Sequence, residues 1–226
     1  MSETTTRHTG GRTVVANFTI SLDGYVTGPG GEADMGWIGR HAVSDQAREI
    51  LTRIVNGATT ALLGRKNYEG FGGFWPAVGR DENADPRDRA YGRWLDEVEK
   101  VVFSTTLTEV NWTGARIVDG DPAEVVRQLR GRDGGDIVVQ NSMSLIRALL
   151  AADEVDRICM MLCPELSGGG AVLFDKGFPS TSWSLTNATS TDTGAVVLTY
   201  DRLRAAAPAA NSAGENRGAA KAAHIA

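Results

Sequence analysis

Apolar residues recur along this chain with two periods, and the way the periods alternate predicts the fold. Period two comes first: in residues 13–22 (TVVANFTISL), Val14, Ala16, Phe18 and Ile20 share one face of a strand. A helical period follows in residues 44–56, where Ala47, Ile50, Leu51, Ile54 and Val55 fall three and four apart and Gly57 supplies the stop. Residues 58–63 read as a short buried strand ending at Gly64. Asp85-Pro86 opens a helix predicted to reach Val98, with the proline at its first position. Residues 101–104 form a further strand. A helix then starts at Asp121-Pro122, carries acids in its first turn and stops at Gly131. Residues 136–139 (DIVV) are a strand, and residues 142–152 a helix with Leu145, Ile146, Leu149 and Leu150 on one side. Residues 155–163 give a long strand, Gly168-Gly169-Gly170 a turn, and residues 183–188 with 195–202 a closing hairpin.

Strands that alternate with helices and then give way to strands alone predict an α/β fold. Its central sheet is mixed but mostly parallel, with helices on both faces and an antiparallel hairpin at the C-terminal end. Ligands of such sheets bind beyond the carboxyl ends of the strands. The turns of interest therefore follow Leu22, Leu63, Phe103 and Val139.

Composition trims this picture at both ends. Residues 1–11 are polar, and residues 205–226 contain only Ile225 as a large apolar side chain. Neither segment buries enough surface to offset the entropy of ordering it, so both are expected to be disordered tails around one domain, residues 12–204. The net charge of −5 argues against nucleic-acid and anionic-membrane partners. No apolar run approaches a membrane span or a signal peptide, which leads to the expectation of a cytoplasmic protein. Cys159 and Cys163 lie four apart in a predicted strand, roughly 13 Å between Cα atoms, too far for a disulfide. With His8, His41 and His224 as the only histidines, zinc chemistry and a Ser-His-Asp triad lack their parts, and no metal is expected.

Three strand-ending turns carry the candidate chemistry. Gly64-Arg65-Lys66-Asn67-Tyr68-Glu69 follows a buried strand and opens a helix, where unpaired N–H groups and two added cations suit a phosphate. The plain alternative is a strand-to-helix turn with two solvated bases. Ser104-Thr105-Thr106 ends a second strand in hydroxyls, which serve equally as capping groups. Gln140-Asn141-Ser142 ends a third and starts a helix, with Ser142 in the position of an N-cap. The Gly28-Pro29-Gly30-Gly31 loop lacks the helix a dinucleotide fingerprint needs and reads as a flap beside a site. Tyr68, Phe71, Phe74 and Trp75-Pro76 lead into a predicted polar loop at residues 78–85; these rings wall a flat ligand or pack beneath the loop.

Ser21-Leu22-Asp23-Gly24, then strand-Gly64-Arg65-x-x-Tyr68-Glu69, strand-Ser104, a Ser-initiated helix, Pro164 and a Gly-rich turn before Leu173-Phe174 occur in one order. This order resembles the dihydrofolate-reductase superfamily over about residues 13–203. It is most similar to the stand-alone relatives of the reductase domain of the bifunctional riboflavin-pathway deaminase-reductase. The resemblance implies a three-layer dihydrofolate-reductase-like fold, a homodimer and an NADPH site. In that site Gly64, Arg65, Lys66 and Asn67 match the turn at the adenosine 2′-phosphate and diphosphate, and Ser104 and Thr105 the hydroxyl pair beside it. Gln140, Asn141 and Ser142 approach the diphosphate from the other side, and Gly169 of the Gly-rich turn joins the cofactor set. The substrate pocket implied in the same way comprises Asn17, Asp34, Trp37, Tyr68, Phe74 and Trp75, with Asp45 as the candidate catalytic acid. The chain departs from dihydrofolate reductases in carrying Gln140-Asn141 where they have Gly-Gly, the residue that lets backbone approach a phosphate closely.

The activity so implied is hydride transfer from NADPH to a small organic substrate such as a pterin- or pyrimidine-like heterocycle, with Asp45, Asp34 or a water supplying the proton. Two alternatives stand beside it: a small-ligand-binding protein on the same scaffold without turnover, and a flavin-binding reductase.

Overall fold

In the computed structural model, residues 11–31, 34–174 and 177–204 are described; both predicted tails lie outside them, apart from Gly11. Eight strands form one sheet in the order β4-β3-β2-β5-β1-β6-β8-β7. They are β1 (Val14–Ser21), β2 (Ala58–Gly64), β3 (Glu99–Phe103), β4 (Ala115–Val118), β5 (Asp136–Gln140), β6 (Arg157–Cys163), β7 (Ser182–Ser190) and β8 (Val196–Leu203). The first six of that spatial order run parallel, and β8 and β7 add antiparallel at the far end. The mostly parallel sheet with a C-terminal hairpin is the architecture the periodicity predicts.

Alternation along the strands divides the core between two faces. Val14, Ala16, Phe18 and Ile20 join Ile137, Val139, Leu62 and Val101 in one cluster. Against it pack Val126 and Leu129 of α5 (Pro122–Arg130) and Leu145, Ile146, Leu149 and Leu150 of α6 (Met143–Ala151). The intervening positions Val15, Val138, Cys159 and Met161 meet Ile50 and Ile54 of α2 (Asp45–Asn56). Both cysteines are free and buried here, and burial pushes the Cys159 thiol up to about 11 and Cys163 to about 12. Those thiols stay protonated at neutral pH.

Three features differ from the sequence expectation. A short 3-10 turn (Gly36–Ile38) and α1 (Gly39–Ala42) precede α2, each too brief to show a period. The edge strand β4 has four residues and pairs only with β3, too short for an alternation to stand out. The third is larger: the aromatic stretch does not lead into a loop at residue 78. Helix α3 (Arg65–Arg80) continues through Pro76 to Arg80, so the loop before α4 (Pro86–Glu97) is only residues 81–85.

Proline inside a helix removes one hydrogen bond and ordinarily kinks or ends it. Here the partner helix holds the turn in place. Trp75 meets Tyr91 of α4 edge-to-face at 4.5 Å between ring centroids, and both join Val55, Leu95 and Phe71 in a cluster. The two backbones touch at Gly79 and Gly92: a Cβ on Gly92 would lie 2.7 Å from the Trp75 carbonyl oxygen and 2.8 Å from the Gly79 nitrogen. Nearby, fully buried Lys100 of β3 donates from Nζ to the carbonyls of Leu95 (2.5 Å) and Val98 (2.8 Å), over the Trp112 ring. It closes the C-terminal end of α4, where helix carbonyls lack partners.

Candidate active site

Five adjacent parallel strands, β4-β3-β2-β5-β1, end on the same edge of the sheet. Two adjoining chambers lie above those ends. The first, about 400 Å³, is lined by Gly64, Arg65, Lys66 and Asn67 after β2, by Asn141 to Leu145 after β5, and by Val26, Thr27, Met35 and Ala171. The second, about 390 Å³, is lined by Ser104, Thr105 and Thr106 after β3, by Asp119 and Gly120 after β4, and by Pro122. Arg65, Phe103 and Leu145 belong to both walls, so the chambers adjoin and make up one cleft along the strand ends.

Two helices point their N-termini into it. Neither α3 nor α6 has a side-chain cap, and neither carries an acid in its first turn. The first backbone N–H groups of a helix have no intrahelical partner and sit at the positive end of its dipole. Ser142 was expected to cap α6 and does not. Its Oγ accepts from the Gly64 backbone N–H (2.9 Å) and donates to the Gln140 carbonyl (3.2 Å), tying the turn after β2 to the turn after β5. Asn67 reinforces the tie by donating from Nδ2 to the same Gln140 carbonyl at 2.8 Å. These contacts fix the two N-termini relative to one another.

Arg65 pairs with Glu69 one turn on, both side chains partly exposed. An exposed pair at this spacing contributes little and yields readily to a better anion. Asn141 takes the left-handed conformation, φ +47°, and its buried Oδ1 has no hydrogen-bond partner. Gln140 is 1% exposed; its Oε1 accepts from Asn17 Nδ2 at 2.7 Å, and its Nε2 has no hydrogen-bond partner.

The remaining candidates scatter. Asp34 accepts from Gly30 N–H at 3.0 Å and shapes the flap, and Gly169 lies against Pro29 of that flap, next to the wall residue Ala171 but one. Trp37 packs against the cluster of Met161 and Cys163. The Tyr68 hydroxyl accepts from the Asn111 (3.0 Å) and Trp112 (3.2 Å) backbone N–H groups. Trp75 is the helix-packing ring already described, and Phe74 beside it is exposed. None of these six, nor Asn17, lines either chamber. Asp45 sits in the first turn of α2 with its side chain 69% exposed, paired with Arg87 at 2.6 Å, and lines neither chamber.

The sequence reading missed the outer walls. Val26, Thr27 and Met35 close the first chamber, and Asp119 and Gly120 follow the strand that was not foreseen. Asp23 was noted only as part of a motif. Its carboxylate accepts from Ser21 Oγ (2.6 Å) and from the Ser167 (3.0 Å) and Gly168 (2.7 Å) N–H groups. Those bonds hold its pKa down at about 2 and pin the Gly-rich turn to the end of β1.

Residues 12–197 match the profile of the RibD C-terminal domain. The chain belongs to this family. Among curated proteins it is 26% identical over 190 residues to the uncharacterized protein YyaP of Bacillus subtilis (strain 168), covering 84% of this chain and 94% of that one. Among solved structures, a Shewanella sp. PV-4 protein provisionally assigned to riboflavin biosynthesis superposes with a TM-score of 0.64 at 18% identity, covering 85% of this chain and 99% of that one. Dihydrofolate reductase from Enterococcus faecalis, complexed with NADP(H) and RAB-propyl, gives a TM-score of 0.52 at 15% identity, with 84% and 96% covered. This member of the RibD C-terminal domain family thus has the dihydrofolate-reductase-like fold.

Proposed function

We propose that this protein is an NADPH-dependent reductase of a small organic substrate. One observation carries the reading: two uncapped helix N-termini and a hydroxyl-bearing strand end converge, through shared Arg65, on a single cleft. That set fits a phosphorylated dinucleotide. The first-turn N–H groups of α3 and α6 face the diphosphate, as helix N-termini do for anions. Arg65, with Ser104 and Thr105, takes the adenosine 2′-phosphate in the second chamber, where a guanidinium grips phosphate with paired hydrogen bonds. The apolar wall of Val26, Met35 and Ala171 excludes water from the nicotinamide side.

When bound, the cofactor supplies the hydride. The chain's part is to orient the dinucleotide through Arg65 and the two helix ends and to hold the substrate against its reacting face. Among described residues, Asp119 is the one carboxylate lining either chamber, and it belongs to the second, away from that face. On this reading a water molecule therefore delivers the proton to the substrate. Asp45→Asn then leaves the pH profile of NADPH oxidation as it is.

Heat stability measured in parallel with NADPH, NADH and flavin tests the proposal. A rise selective for NADPH supports it. No response to millimolar NADPH removes it, and a flavin-selective response, with yellow protein as purified, replaces it. NADPH binding without oxidation in the presence of pterins and pyrimidines leaves a binding protein instead.

For the assembly, the same reading keeps a homodimer. Strand β6 lies between β1 and β8, so its backbone edges are occupied. The outer edge of β7, beside exposed Leu185, is open to a second copy. A monomer by light scattering at micromolar concentration removes this part.

A further inference from the structure

We infer that Asn141 anchors the nicotinamide-riboside half of the dinucleotide, its side-chain carbonyl accepting a hydrogen bond from a donor on that half. The inference rests on the cofactor reading above and names a residue for which that reading has no use. Asn141 keeps φ at +47°, in the left-handed region that glycine occupies freely and that asparagine enters more readily than most other residues. Its backbone is fixed there, the N–H donating to the Asn17 carbonyl at 2.9 Å. The side chain at this position ends in a carbonyl, Oδ1, that is buried without a partner. A buried acceptor without a donor is costly, and the cost disappears when a ligand brings the donor.

The identity of that donor follows from place and charge. Phosphate oxygens accept hydrogen bonds and would repel Oδ1; their donors are the helix N–H groups and Arg65. Asn141 lines the first chamber with Val26, Thr27 and Met35 and takes no part in the second, where Ser104 and Thr105 lie. It therefore meets the end of the dinucleotide that carries a ribose and a carboxamide, both rich in donors, and not the adenosine 2′-phosphate end.

The experiment compares the wild-type chain with Asn141→Gly, using NADPH and 2′,5′-ADP as separate probes, each read by titration calorimetry, together with melting of the ligand-free protein. Glycine relieves the backbone, so the ligand-free variant melts at the wild-type temperature or above, which rules out misfolding as the cause of any loss. Its Kd for NADPH rises about 3- to 10-fold, the value of one hydrogen bond, while its Kd for 2′,5′-ADP is unchanged. Unchanged binding of both probes overturns the inference and leaves the cofactor reading intact. An equal loss for both overturns it too, because the effect then belongs to the shared phosphates. Binding of neither probe to the wild-type chain overturns the cofactor reading, and this inference with it.

Discussion

At the scale of single residues, the site depends on a few side chains that hold turns together. Ser142 bonds both to Gly64 and to Gln140, and Ser142→Ala removes both contacts and leaves the Gly64 N–H without its acceptor. We expect a loss of about 1–3 kcal/mol, read by denaturant melts, and a weaker NADPH response because the two helix ends are no longer locked together. Asp23 makes a pH prediction. Its pKa is depressed from 3.8 to about 2, so its stabilising bonds are fully present above the unfolded value and fade as pH falls from about 4 to about 2. Asp23→Asn flattens the acid limb of the stability curve over that window; an unchanged limb in the variant refutes the assignment. Arg65→Ala separates the phosphates: the Kd for NADPH rises about tenfold or more while that for NADH changes little, since only NADPH has the 2′-phosphate. Residues of this kind were legible because they sit in turns after strands that hydrophobic alternation marks. Ser142 was legible as a helix-start residue, but its actual partners lie 78 and two positions away, and only the sheet order brings Gly64 to it.

At the scale of elements, periodicity located what is long and buried and lost what is short or locally contradictory. Strand β4 has four residues and a single neighbour, so its position comes from pairing with β3 and not from its own pattern. The end of α3 was hidden for another reason. Pro76 and four glycines, Gly70, Gly72, Gly73 and Gly79, disfavour a helix, yet the tertiary contact with α4 overrides propensity. That contact gives a prediction. A methyl at Gly92 meets the Trp75 carbonyl and the Gly79 backbone, groups that cannot swing aside as a side chain does. Gly92→Ala therefore costs about 1–3 kcal/mol by overpacking, although alanine is the better helix former, and the melting temperature drops. A more stable variant would show that the helices do not touch there. The same packing takes up the Trp75 ring, which the sequence reading placed at a substrate pocket: it serves the α3–α4 contact and lines neither chamber.

At the scale of the whole molecule, the cleft exists because β4, β3, β2, β5 and β1 are both parallel and adjacent. The sequence announced the parallel part through alternating helices and strands, but it gave no order, and order is what turns three separate motifs into one site. The charge balance is also a property of the whole. The chain carries a net charge of −5, yet the cleft gathers two helix N-termini, Arg65 and Lys66 with Asp119 as the one carboxylate among the described residues that line it. On the proposed reading, a polyanionic dinucleotide would be repelled at a distance and attracted only within the last few ångströms. Such short-range attraction is electrostatic but partly sheltered, so salt weakens it without abolishing it. Raising sodium chloride from about 50 mM to about 500 mM shortens the Debye length from about 14 Å to about 4 Å. The Kd for NADPH should rise severalfold over that range, and the Kd for NADH should rise less, because it lacks the charge that Arg65 holds. Identical salt dependence for the two nucleotides would mean that Arg65 and its neighbours do not distinguish them. The 2′-phosphate would then have no seat in the second chamber.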